Sequence, residues 1–77
     1  MDKFKGKRAI MAVDLPKKKL YMRDRVEILK SWKEPLFIGQ DRLGTRRKLR
    51  IRSLDRPDIE AYIDFADVLI RESLSEN

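Results

Sequence analysis

The sequence contains no cysteine and no histidine. Disulfide staples are therefore excluded, as are zinc ribbons and nearly all transition-metal sites built from thiolate or imidazole. The same two absences remove the commonest general base near neutral pH and the thiolate nucleophile. Side-chain amides are almost missing as well: Gln40 and Asn77 are the only ones. With many Lys, Arg and Glu, this resembles the composition of hyperthermophile proteins. The glycines Gly6, Gly39 and Gly44 are too scattered for a phosphate loop or a dinucleotide fingerprint. Ser31, Ser53, Ser73 and Ser75 lie in no nucleophile-elbow context. No apolar run approaches the ~18 residues of a membrane span. The opening MDKFKGKR has no apolar signal core. The expectation is a cytoplasmic non-enzyme with no metal, no cofactor and no small-molecule substrate.

What is present is charge. The chain of 77 residues carries 19 Lys or Arg against 13 Asp or Glu, a net charge of +6. The charge is split along the chain. Residues 1–53 hold 17 basic and 6 acidic residues, a balance of +11, and residues 54–77 hold 2 and 7, a balance of −5. A basic body followed by an acidic segment points to a polyanion-binding surface. The length implies one small domain spanning residues 1–77, whose limited core raises the expectation of a homodimer.

The spacing predicts an α+β fold: a small antiparallel sheet of three to five short strands, either a partly open barrel or winged-helix-like, followed by one long C-terminal helix. Asp55 and Pro57 look like a helix start. Ile59, Tyr62, Ile63, Ala66, Leu69, Ile70 and Leu74 recur at helical spacing, which predicts an acidic amphipathic helix over about residues 57–74. Phe65 and Val68 fall on the flank of that stripe and are the candidate contact with a partner or dimer mate. Glu60, Asp64 and Asp67 fall on its solvent side.

Before it, Leu49 and Ile51 alternate with Lys48, Arg50 and Arg52, the pattern of a strand with one apolar and one cationic face. PLFIG (35–39) and AIMAV (9–13) read as short strands, with residues 40–45 as a loop between strands. Residues 17–33 fit either period, and strands with Val26 and Ile28 inward are the preferred reading.

GTRRKLRIRS (44–53) carries five cations in seven residues. Cations on alternate strand positions lie ~6.8 Å apart, from ~3.4 Å per residue, on the scale of phosphates along a duplex strand. Arg42, Arg46, Arg47, Lys48, Arg50 and Arg52, with Lys17, Lys18 and Lys19 as a second group, are the candidate nucleic-acid contacts. Trp32, Phe37 and Tyr21 are candidate stacking partners. DNA is preferred over RNA as the partner. The alternatives are a protein-interaction module or accessory factor using the acidic helix, and an RNA-binding subunit of a ribonucleoprotein.

Two resemblances are visible. PLFIG, RRKLRIRS and DIEAYI together look like the wing and following helix of small excisionase-type winged-helix proteins, which implies a helix-turn-helix over residues 9–33. RDRVEILKSWKEPLFIG is similar to the strand-turn-strand of small barrels used in translation and chromatin proteins. Neither carries a residue role onto this chain.

Overall fold

The computed structural model describes residues 2–70. It is a five-stranded antiparallel sheet with strand order β4-β3-β2-β1-β5, formed by β1 (Arg8–Met11), β2 (Arg25–Ile38), β3 (Asp41–Ser53), β4 (Glu60–Asp64) and β5 (Val68–Ile70). Two 3₁₀ turns, Pro16–Lys18 and Phe65–Asp67, are its helical pieces among the described residues. None of these is long and apolar enough to cross a membrane.

The sheet cannot be flat. In a flat sheet β4 and β5, four strand spacings apart, would lie ~19 Å from each other, at ~4.8 Å per spacing. The turn Phe65–Asp67 joins them directly, and a 3₁₀ path of that length spans only ~8 Å. The sheet therefore curls until its edges approach at that end. The concave side holds the core: Ala9, Met11, Leu20, Val26, Ile28, Leu49, Ile51, Ala61, Ile63 and Val68. Burying each of the larger side chains contributes about 1.5–3 kcal/mol.

The expected α+β class is corrected to an all-sheet fold. Residues 57–70 form no helix; they form a turn, β4, a 3₁₀ turn and β5. Residues 71–74 of the expected helix, including Leu74, lie outside the described residues. The physical reason is that Ala61 and Ile63 also satisfy a period of two, with Glu60, Tyr62 and Asp64 between them. The open edge of β3 gives this segment a ladder to join, and tertiary pairing overrides a local helical pattern. The Ile, Val, Tyr and Phe in the segment favour strand for the same reason. Asp55 and Pro57 serve a turn: Ser53 Oγ accepts from the Arg56 backbone N–H at 3.1 Å, and Arg25 pairs with Asp55 at 2.8 Å.

Nor do residues 9–33 form a helix-turn-helix, so the winged-helix likeness does not hold. RDRVEILKSWKEPLFIG is a turn and one continuous strand rather than strand-turn-strand. The strands are not all short, since β2 has 14 residues and β3 has 13. Residues 41–45 belong to β3 and are not a loop. A two-residue turn, Gly39 and Gln40, joins β2 to β3, with Gly39 at φ +61 in the first turn position, where a primed hairpin turn requires a positive φ.

β2 contains a bulge between Ile28 and Lys30. Val26 and Ile28 face the core before it; after it, Ser31 and Lys33 lie on that side and Lys30, Trp32 and Glu34 on the convex side. Beyond Trp32 and Lys48 the β2–β3 ribbon runs past its neighbours as a free two-stranded arm, residues 33–46. Pro35 sits there at a position whose missing N–H costs no ladder bond. The arm exposes Leu36, Phe37, Ile38 and Leu43.

Candidate nucleic-acid interface

The convex face of β2, β3 and β4 carries the densest charge. Arg46, Lys48, Arg50 and Arg52 project from β3 on alternate positions, as the sequence pattern predicts. Their surroundings do not match that pattern's simplest reading, a bare cationic face. Glu60 Oε1 accepts from Arg50 at 2.6 Å, and Asp64 Oδ1 lies 3.1 Å from Lys48 Nζ and 3.8 Å from Arg46 Nε. Arg52 reaches Glu27 on β2 at 3.3 Å. Each cation of the ladder thus has a carboxylate from a flanking strand.

Backbone register places Lys48 directly opposite Asp64 across β3 and β4 and Arg52 opposite Glu27 across β2 and β3, while Arg50–Glu60 and Arg46–Asp64 are diagonal contacts. Ser53 N–H donates to the Ile59 carbonyl at 3.0 Å, which makes that pair a hydrogen-bonded one. By alternation, Arg52 with Glu60, Arg50 with Tyr62 and Lys48 with Asp64 are the non-hydrogen-bonded pairs, where opposing side chains come closest. The hydrogen bond and charge of Glu60 push the Arg50 pKa above its ordinary value. Asp64 Oδ1 is screened from solvent and meets its two cations as ion pairs without a well-aligned hydrogen bond.

Two aromatic rings sit within this ladder. Trp32 and Tyr62 meet edge to face across β3, centroids 5.8 Å apart. The Trp32 indole N–H donates to Glu34 Oε2 at 2.9 Å, which fixes the ring, and Lys30 Nζ lies 5.9 Å from it. Tyr62 remains 57% exposed. The result is an aromatic pair on an open sheet face, bordered by Lys30, Lys48 and Arg50. Trp32 is among the residues nominated from sequence; Tyr62 and Lys30 are not. The helical reading placed Tyr62 in a buried stripe, and the alternation Glu60, Tyr62, Asp64 was the signal that would have found it.

The other nominated residues disperse. Arg47 lies on the opposite side of β3 from the ladder. Its guanidinium covers the Phe4 ring at 4.7 Å and donates to Ser31 Oγ at 3.0 Å. Phe4 in turn meets Phe65 edge to face at 5.3 Å, so Phe65 is engaged within its own chain. Val68 is buried in the core, on β5 and not on a helix flank. Arg42 lies near the tip of the arm, with exposed Phe37 opposite it in the ladder. Lys17, Lys18 and Lys19 lie on and just after the first 3₁₀ turn and face the edge of β4. Tyr21 is exposed in the turn before β2. Among the described residues no cluster of three or more Asp and Glu is arranged to hold a metal.

Asp2 anchors the start of the chain on the other side of the sheet, against Ser31. Its carboxylate accepts from the Ser31 hydroxyl at 2.6 Å, the Ser31 N–H at 2.7 Å and the Phe4 N–H at 3.1 Å. The Ser31 hydroxyl bond is the main cause of a pKa lowered to about 2.

Comparison with known proteins finds no matching family model, no matching curated protein and no matching solved structure.

Proposed function

We propose that this chain is a small non-catalytic nucleic-acid-binding protein of the cytoplasm, with duplex DNA as its preferred partner, and that it binds through the convex face of β2, β3 and β4. The observation that carries this reading is the Trp32–Tyr62 pair on the convex face, half-buried Trp32 against exposed Tyr62, set among Lys30, Lys48 and Arg50. Aromatic rings interleaved with cations on an open sheet supply apolar contact to sugars or bases together with phosphate neutralisation. The net charge of +6 adds long-range attraction for a polyanion. In this reading the carboxylates of Glu27, Glu60 and Asp64 hold the ladder cations extended until phosphates replace them. Arg42 on the arm extends the contact.

A homodimer is part of the same proposal. It is supported by the small core and by the four exposed apolar side chains of the arm.

The test is a salt-dependent titration of the protein against duplex DNA, single strands and structured RNA, with the solution mass measured alongside. Duplex binding is expected to weaken steeply with salt. A folded variant carrying Arg50→Glu and Arg52→Glu is expected to lose about tenfold or more in affinity, and Tyr62→Ala about fivefold or more, the scale of one lost stacking contact. Unchanged binding by both folded variants refutes the assignment of this face. Tighter binding to structured RNA than to the duplex refutes the choice of DNA.

A further inference from the structure

Among the described residues β4 is an edge strand, paired with β3 alone. Because Ile59 hydrogen-bonds to Ser53 on β3, the residues of matching parity, Ala61 and Ile63, turn their backbone groups toward β3. Glu60 and Tyr62 therefore turn their N–H and C=O groups outward. An open groove of about 450 Å³ runs along this edge, lined by residues 58–62 on one wall and by Lys17, Lys18 and Lys19 on the other. Its lining includes successive residues of β4 with opposite facing, Ala61 and Tyr62, so it follows the strand edge. The three lysines are exposed, and none has a carboxylate within ion-pair distance among the described residues.

An unpaired strand edge is a template for another strand, and natural proteins usually blunt it with a bulge, a proline, charged side chains such as lysine, or a covering loop. β4 has no bulge and no proline along residues 60–63, and the turn bearing Lys17, Lys18 and Lys19 faces it across the groove without pairing to it. From this geometry we infer that the groove is a docking site for an extended acidic peptide segment of a partner protein, which adds to β4 as a sixth strand. Main-chain bonds to Glu60 and Tyr62 hold the peptide, and its carboxylates face the lysine wall. The charge of that wall selects an acidic segment over a neutral or basic one. Asp58 and Glu60 at the opposite lip repel carboxylates placed on their side, which fixes the acidic side chains toward the lysines. This site borders the Trp32–Tyr62 face and shares Tyr62 with it, and it stands whether or not that face binds nucleic acid.

The probe is a blocked octapeptide of alternating glutamate and threonine, titrated into the full-length protein while amide exchange is followed residue by residue. Binding with new protection of the Glu60 and Tyr62 amides is the expected result. The same peptide methylated on every backbone nitrogen is expected not to bind, since it keeps the charge and loses strand pairing. The variant carrying Lys17→Glu, Lys18→Glu and Lys19→Glu is expected to bind at least about tenfold more weakly, the scale of three exposed charge contacts. Those lysines are exposed and contribute nothing to the core, so the fold is expected to survive their reversal. Equal binding of the methylated peptide overturns the inference in favour of charge attraction alone. Protection of Glu60 and Tyr62 in the free protein, together with a dimeric mass, overturns it in favour of a second copy. Absence of peptide binding overturns it outright.

Discussion

Glu60→Gln should strengthen nucleic-acid binding. The carboxylate accepts from Arg50 at 2.6 Å, with the two side chains 35% and 45% exposed. A pair this exposed contributes only about 0–1 kcal/mol to folding, so the variant should remain folded with nearly the parental melting temperature. On the proposed interface, however, the same carboxylate competes with phosphate for Arg50. Freeing one cation adds about one phosphate contact and steepens the log–log salt slope by about 0.9. Over a fourfold rise in salt, from 50 to 200 mM, that increment corresponds to about a 3.5-fold change in the affinity ratio of variant to parent. The variant should therefore bind duplex DNA more tightly at low salt, and its advantage should shrink about 3.5-fold across that range. Fluorescence anisotropy at four or five salt concentrations measures both slopes. Equal slopes, or weaker binding by a folded Glu60→Gln protein at every salt, would refute the reasoning. Equal slopes would mean that Arg50 does not meet phosphate, and uniformly weaker binding would mean that the carboxylate's main role is to aim Arg50.

Three further outcomes are expected. Leu49→Ala or Ile51→Ala removes a fully buried side chain from the small core and should cost about 2–5 kcal/mol in chemical denaturation. Asp2 has a folded pKa lowered to about 2 against an ordinary 3.8, so its contribution is present above about pH 4 and is lost as pH falls through about 2. Asp2→Asn should remove that part of the acid dependence, on the order of 1 kcal/mol after allowance for solvent exposure, as read by denaturation midpoints at pH 5 and pH 2. Replacing residues 36–43 with a two-residue turn should leave the body folded, because no buried residue lies in the arm. A cooperative melt within a few degrees of the parent would agree with this, and loss of the melt would contradict it.

Much of the sheet can be read from the sequence. Leu49 and Ile51 alternate with cations over enough residues to fix both the strand and its faces. The register of β2 is harder to read because the bulge after Ile28 shifts the period by one residue. Val26, Ile28 and Trp32 share one parity, so a strand pattern alone would turn Trp32 inward, and only the bulge sends it to the opposite face. In the C-terminal segment, Ile59, Tyr62 and Ile63 fit a helix as well as Ala61 and Ile63 fit a strand. What decided between them was the neighbouring β3 edge, a non-local feature. The site shows the same division. The cationic ladder is local and legible. The carboxylates that partner it come from β2 and β4, 10 to 25 positions away in the chain, and depend on a pairing that no local pattern fixes. Arg47 shows how parity decides a residue's fate: one position from Arg46 and Lys48, it lies against Phe4 instead of joining them.

The two proposed surfaces share β4, and this makes their coupling testable. Glu60 and Tyr62 present side chains to the convex face and backbone groups to the groove. An acidic peptide in the groove would place several negative charges along the strand that borders Arg50 and Lys48. Phosphates at the face would then meet a less positive field, so peptide and duplex should oppose each other. The pull of the lysine wall on the duplex would also be neutralised, an effect of the same sign. Linkage requires that the peptide weaken duplex binding by the same factor by which the duplex weakens peptide binding. The coupling should fade as salt rises, because charges more than about 10 Å apart are largely screened at 0.1 M. Titrating each ligand in the presence of the other at 50 and 300 mM salt measures it. Full competition that persists at high salt would mean that both ligands occupy one site, and the separation of face from groove would then be wrong.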